Sequence, residues 1–166
     1  MLQTALQISE LHRALPLVGT SKRDTGAKQP GGRATSAGPG EAASRPQRVL
    51  VVEDNLDQVH TLAMLLRLDG HEVDFAINGY VAIDVAERFR PHVVLLDLGL
   101  PGLDGYDVCK WLKRHPGLEQ TRVIAVTGYG SEADRERARA AGCEHHLTKP
   151  YDPQQLLSLV RGDKNN

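Results

Sequence analysis

Residues 49–55, VLVVEDN, and residues 93–97, VVLLD, are the stretches that decide the fold of this chain. Each sets four apolar residues in a row and then an acid. A strand with one wet side alternates apolar and polar residues, whereas an unbroken apolar run of this length suits a parallel strand covered by helices on both faces. VIAV at 123–126 repeats the pattern, so three central strands are predicted. HEVDFA at 71–76 alternates and EHHL at 144–147 is short and polar, which predicts two edge strands.

Helical stripes separate these runs. Val59, Leu62, Ala63 and Leu66 recur at i, i+3, i+4 and i+7, as do Ala82, Val85, Ala86 and Phe89, the spacing of one buried helix face. Gly70 suits the stop of the first helix. Ser131 to Asp134 has capping-box spacing, and Asp152-Pro153 sets a capping acid before a first-turn proline. Strand and helix therefore alternate five times from Arg48 onward. With right-handed crossovers and the second and fifth strands at the edges, this predicts an α/β fold: a doubly wound, five-stranded parallel sheet of order 2-1-3-4-5, flavodoxin-like. Two of its five helices would lie on one face and three on the other.

In that order the connections reverse direction between strands one and three, and ligands of open α/β sheets bind at strand carboxyl ends beside such a switch point. Glu53 and Asp54 follow strand one, Asp97 strand three, Thr127 strand four, and Lys149 comes just after strand five. Two carboxylates about 4 Å apart repel by roughly 4 kcal/mol at an effective dielectric near 20, and three are worse. A divalent cation together with Lys149 cancels three negative charges, and the oxygen donors suit Mg²⁺ that keeps several waters. No Cys or His stands at zinc-ligand spacing. A metal beside a carboxylate, an ammonium and a small hydroxyl is the set of parts that handles a phosphoryl group. Asp97 is then the natural nucleophile, forming an acyl phosphate. Thr127 would hydrogen-bond one phosphoryl oxygen, Lys149 would pair with another, and backbone N–H groups near Leu98 and Gly128 would serve the third.

Singly, each residue has a plainer reading. Glu53 and Asp54 could cap the first helix, where an acid contributes about 0.3–1 kcal/mol. Asp97 could be a turn acid, Thr127 a strand-end hydroxyl and Lys149 a solvated charge. Their joint placement at the ends of four strands favours a site. Asp104 and Asp107 are expected to shape a loop and helix start rather than bind metal. Arg135, Arg137 and Arg139 with Glu132, Asp134 and Glu136 make a highly charged fourth helix, either a solvated face or a partner surface.

Residues 48–160 resemble the receiver domain of response regulators in two-component signalling. VLVVEDN at 49–55, LLDLGLPGLDGYD at 95–107, VTG at 126–128 and HHLTKP at 145–150 carry the resemblance. So do the separations: 43 residues from Asp54 to Asp97, 30 on to Thr127 and 22 on to Lys149. The resemblance implies a CheY-like fold in which Asp97 accepts a phosphoryl group from a histidine kinase or histidine phosphotransfer protein. It implies Mg²⁺ bound directly by Asp54, Asp97 and the carbonyl of Gly99, with Glu53 helping through water, and a cis Lys149–Pro150 peptide. Thr127 and His146 are the implied switch residues, His146 standing where many receivers carry an inward-rotating Tyr or Phe. Glu53 replaces a more frequent Asp. Gly99 leaves the phosphoryl site uncovered on one side while Tyr129 could cover another, with opposed effects on lifetime.

The chain has 166 residues, 40% hydrophobic and 25% charged, with 20 basic against 21 acidic side chains, which suits one globular core. Its longest apolar run, Leu62 to Leu66, falls far short of the roughly 18 residues that span a bilayer, so no membrane association is expected. The near-neutral charge gives no reason to bind nucleic acid. Cys109 and Cys143 are the two cysteines, expected to be apolar fillers in a reducing, cytoplasmic setting. Residues 1–46 differ in kind: rich in Gly, Pro, Ser, Thr and Ala between Gly19 and Pro46, they are expected to be a disordered leader, with Leu2, Leu6, Leu11 and Leu15 hinting at a short helix near 2–15. The domain is expected over 47–162, with a disordered tail at 163–166.

Because only Arg161 to Asn166 follow Val160, the expectation is a signalling module without an attached output unit, acting through a downstream protein target. It would be a switch rather than a metabolic enzyme, changing shape on the face of the last two helices and the last strand. A monomer or a weak phosphorylation-dependent dimer is expected. A phosphate-independent adaptor on the same fold is the alternative, and a phosphohydrolase is a more remote one, since Gly99 is not an acid and neither a nucleophile elbow nor a P-loop occurs.

Overall fold

The computed structural model describes residues 45–128 and 130–163. Residues 1–44 of the expected leader, with its short helix near 2–15, residues 164–166 of the expected tail, and Tyr129 lie outside them. The elements run β1 (Arg48–Val52), α1 (Leu56–Leu68), β2 (Glu72–Ala76), α2 (Gly79–Phe89), β3 (Val93–Asp97), α3 (Gly105–Arg114), β4 (Arg122–Thr127), α4 (Glu132–Ala141), β5 (His145–Thr148) and α5 (Pro153–Arg161). The five strands are parallel in the order β2-β1-β3-β4-β5, as the apolar runs and polar edges predict. Asp97 and Thr127 are the last residues of their strands rather than the first beyond them, because the parallel ladder continues to Asp97↔Val126 and Thr127↔Thr148.

Each helix begins on a polar cap that satisfies its free N–H groups. Asn55, Asn78, Asp104, Ser131 and Asp152 serve α1 to α5 in turn, with Pro153 in the first turn of α5. Asp104 therefore starts a helix, as expected. The acids Glu53 and Asp54 do not cap α1; Asn55 does, accepting from the backbone N–H groups of Asp57 and Gln58. Gly70, at φ 91°, takes the left-handed turn just after α1, where a side chain would be strained.

Alternation along the strands divides the core. Leu50, Val52, Val94, Leu96, Val123 and Ala125 pack with α2, α3 and α4 in one continuous cluster. The buried Val49, Val51, Leu95 and Ile124 serve the opposite face with the buried stripes of α1 and α5. The helix α4 contributes two buried residues, Ala138 and Ala141, so little apolar surface anchors it. At the edge of the sheet where β1 begins, two histidine rings receive the chain: Nδ1 of His71 accepts from the N–H of Gln47 at 3.2 Å, and Nδ1 of His92 from that of Arg48 at 3.1 Å. Nearby, Asp69 at the end of α1 holds Arg161 at the end of α5 through both carboxylate oxygens. Among the described residues, no helix is long and apolar enough to cross a membrane.

Candidate functional site

The order of the strands carries Glu53, Asp54, Asp97, Thr127 and Lys149 to one edge of the sheet, because parallel strands all end there. Glu53 is held from both sides of its backbone step: its N–H donates to the carbonyl of Ala76 at 3.0 Å, and its Oε1 accepts from the N–H of Asn55 at 3.2 Å. Asp97 is fixed by the sheet on one side and by Gly99 on the other, whose N–H donates to Oδ1 at 2.7 Å. The backbone N–H of Lys149 donates to the carbonyl of Thr127 at 2.8 Å, which sets β5 and its following lysine against the end of β4.

Carboxylate oxygens of Glu53, Asp54 and Asp97 lie within 4.8 Å of one another, Glu53 buried, Asp97 half-buried and Asp54 exposed. The ammonium of Lys149 stands between two of them, 2.6 Å from Oε2 of Glu53 and 2.6 Å from Oδ2 of Asp97. Burial pushes the Glu53 carboxyl above the usual range against the pull of Lys149, and Asp97 adds to the rise. Burial alone would lower Lys149, but its bonds to Asp97 and Glu53 reverse the effect and hold the ammonium above the ordinary lysine value. Lys149 is thus a fixed positive charge. Three carboxylates against one ammonium leave a deficit that a divalent cation would fill, and every donor is an oxygen, so the residues present fit Mg²⁺. Asp54, without an ion pair or hydrogen bond at its side chain among the described residues, is the acid most open to it.

Of the backbone N–H groups near Leu98, that of Leu98 itself is engaged in the sheet. It donates to the carbonyl of Val126 at 3.0 Å, since the β3–β4 ladder runs one residue beyond Asp97. Gly99 is exposed at the rim, and a Cβ there would approach Oδ1 of Asp97 to 3.3 Å. Thr127 is buried at the end of β4. His146 sits on β5, half-buried, with Nε2 shut off from solvent and unpaired in the described part of the chain; burial first, then Arg135 of α4, lowers its pKa and keeps the ring neutral. Two residues that the sequence reading passed over, Gln58 and Tyr151, line a cleft of about 460 Å³ with Lys149 and Pro150. Tyr151 directly follows Lys149–Pro150, whose peptide is cis as expected, and that adjacency was the available signal.

A sequence model of the response regulator receiver domain matches residues 49–161. The chain belongs to this family. The receiver domain is 35% identical over 116 residues to the polar-differentiation response regulator DivK of Brucella anthropi, covering 70% of this chain and 94% of that protein. Chemotaxis protein CheY4 of Vibrio cholerae matches it in structure with a TM-score of 0.67 at 25% identity, over 70% of this chain and 98% of that one. The receiver domain of the sensor histidine kinase PA1611 of Pseudomonas aeruginosa PAO1 is 31% identical, with a TM-score of 0.63 over 71% of this chain and 99% of its own. That structure has a magnesium ion coordinated in its active site cleft. Receiver domains are signalling regulators, with kinases and phosphotransfer proteins as their general class of partner.

Proposed function

We propose that this receiver domain accepts a phosphoryl group on Asp97 from a phosphohistidine of a histidine kinase or histidine phosphotransfer protein, and so changes its affinity for a downstream protein. The observation that carries the reading is the single Lys149 ammonium 2.6 Å from both Glu53 and Asp97, in a cluster of three carboxylates. In the transfer, the donor's P–N bond breaks as a P–O bond to an Asp97 carboxylate oxygen forms, and the freed imidazole takes up a proton from solvent.

Asp54, Asp97 and the Gly99 carbonyl would hold Mg²⁺ directly, and Glu53 would hold it through water. When bound, the ion supplies positive charge for the incoming phosphoryl oxygens. Lys149, already in contact with Oδ2 of Asp97, reaches a phosphoryl oxygen attached there with little movement. Glu53, buried and paired with the same ammonium, orients Lys149 between the two acids. Thr127 donates its hydroxyl to another phosphoryl oxygen from the end of β4. These contacts exist in the phosphorylated form alone, so they favour whichever arrangement of α4, β5 and α5 lets Thr127 and His146 make them. The result is a population shift in a signalling switch.

The test is to incubate the full chain with Mg²⁺ and radiolabelled acetyl phosphate, or with beryllofluoride, beside Asp97→Asn. Label on wild type, none on the variant, and loss of label after chelation of all divalent metal are expected. Equal labelling of Asp97→Asn, or labelling that survives chelation, overturns the reading.

A further inference from the structure

Cys109 and Cys143 are the two cysteines of the chain, and the fold brings their sulfurs to 3.3 Å inside the core. Cys109 is fully buried on α3, whereas Cys143 is 7% exposed and follows Gly142, the left-handed residue that ends α4. Neither touches the acid site. As core fillers they need only volume, and nothing in packing requires that they face each other. A disulfide holds its sulfurs about 2.0 Å apart, so closing this pair asks for about 1.3 Å of approach. The backbone of Cys143 lies in the turn between α4 and β5, outside both elements, with its N–H held by the carbonyl of Ala138 at 2.9 Å, so side-chain rotation with a small shift of the turn supplies the approach.

The pair also has a direction. The thiol of Cys143 donates its hydrogen to the sulfur of Cys109. That bond, aided by Lys113 and Lys110, outweighs burial and holds the Cys109 thiol below its ordinary pKa, while the same bond and burial push Cys143 up. As the sulfur that accepts the hydrogen bond, Cys109 is the one placed to carry negative charge, with Cys143 beside it to resolve. Cys143 is the sulfur nearer solvent, beside a helix whose buried residues are Ala138 and Ala141, and helices anchored by few apolar contacts are among the first segments to open locally.

We infer that Cys109 and Cys143 form a thiol oxidation site, converted by hydrogen peroxide or a small organic hydroperoxide into an intramolecular disulfide that fastens α3 to the α4–β5 turn. The Cys109 thiolate attacks a peroxide oxygen, the O–O bond breaks, and water or an alcohol leaves with the second oxygen, giving a sulfenic acid. The sulfur of Cys143 then attacks that of Cys109; the S–S bond forms, the S–O bond breaks, and water departs with the thiol proton. Two thiols are oxidised and one peroxide is reduced. The inference does not depend on phosphorylation at Asp97.

The experiment treats the reduced full chain with excess hydrogen peroxide under native conditions, quenches with catalase, alkylates after unfolding and maps peptides by mass spectrometry. Expected are loss of both alkylatable thiols, a linked pair of peptides carrying Cys109 and Cys143, monomer mobility on a non-reducing gel, and a rise in Tm of about 5 °C or more that dithiothreitol reverses. Cys143→Ala should halt at a sulfenic acid on Cys109 that dimedone traps. Retention of both thiols, a chain-to-chain crosslink, or sulfinic and sulfonic acids without linkage overturns the inference. Because these readouts are made on wild type, they stand even if a cysteine variant folds poorly.

Discussion

Nζ of Lys149 and Oδ2 of Asp97 lie 2.6 Å apart, joining residues 52 positions distant in the chain at the carboxyl edge of the sheet. The same ammonium neutralises part of the charge of Glu53. Lys149→Met removes it and leaves three acids unopposed. Breaking a fully buried ion pair costs about 3–5 kcal/mol; with 23% of the Lys149 side chain exposed, a smaller loss of about 1–2 kcal/mol is expected. Mg²⁺ should then raise the Tm of the variant by more than it raises that of wild type. Thermal melts with and without MgCl₂ check this, and an equal response in both proteins would contradict it.

Asp54 is exposed and sits in the cluster without a partner of its own among the described residues. Asp54→Asn relieves repulsion, worth about 1 kcal/mol at solvent-like screening. In metal-free buffer the variant should be more stable than wild type, by about 3–5 °C in Tm. It should also lose most of the stabilisation that Mg²⁺ gives wild type. A metal-free Tm below that of wild type would show that Asp54 is not in a repulsive cluster.

Gly105 lets α3 start close against the end of β3: a Cβ there would lie 2.7 Å from the carbonyl oxygen of Asp97 and 2.8 Å from Cα of Leu98. Backbone atoms cannot give way as a side-chain tip does, so Gly105→Ala should cost about 1–3 kcal/mol in urea unfolding. At Gly128 none of the described residues beyond its chain neighbours lies within 4 Å of the added atom, and Gly128→Ala should stay within about 0.5 kcal/mol. Equal effects of the two substitutions would refute the steric account.

His71 and His92 are both lowered below the ordinary value of 6.5, chiefly by burial, and each uses Nδ1 as an acceptor for the start of β1. The unfolded chain therefore binds protons that the folded chain refuses. The contribution of His71, which is buried, is complete above pH 6.5 and declines as pH falls below it, by at most about 1.4 kcal/mol per pH unit, while that of His92, an exposed residue, is largely screened by solvent. Asp69, lowered below 3.8 chiefly by its hydrogen bond to Arg161, contributes above 3.8 and loses that part as pH drops through its lower native value. Denaturation followed from pH 7.5 to 5 should show the histidine loss first. His71→Gln, which keeps an acceptor but cannot take the proton, should flatten the slope below 6.5; an unaltered slope would exclude His71 as its source.

What was legible in the sequence was what is written locally. Four apolar residues before Glu53 or Asp97 reveal a covered strand, and Ser131 or Asp152 announces a helix start, because strand burial and capping depend on neighbours a few positions away. The acids, Thr127 and Lys149 could be gathered on paper because parallel strands end on one edge. The partition of bonds within the site could not. The Lys149–Glu53 pair spans 96 residues, and its reach depends on the extra methylene of Glu53 and the turn after β5. Whether the Leu98 N–H was free hung on one more rung of the β3–β4 ladder, and the meeting of Cys109 with Cys143 on how α3 and α4 pack. Asn55 displaced the acids as the cap of α1 because it stands at the capping position itself, immediately before Leu56, from which its Oδ1 accepts from two N–H groups.

The five capping residues Asn55, Asn78, Asp104, Ser131 and Asp152 mark a further property of the edge on which they lie. In a parallel sheet with helical returns, every helix sets out from the side where the strands finish, and each start carries about half a positive charge from its aligned peptide units. The clustered acids thus sit within a ring of backbone polarity of the opposite sign. Such a rim is amphoteric, able to draw a hard cation through its side chains and an anionic group through its main chain, and so to seat both together.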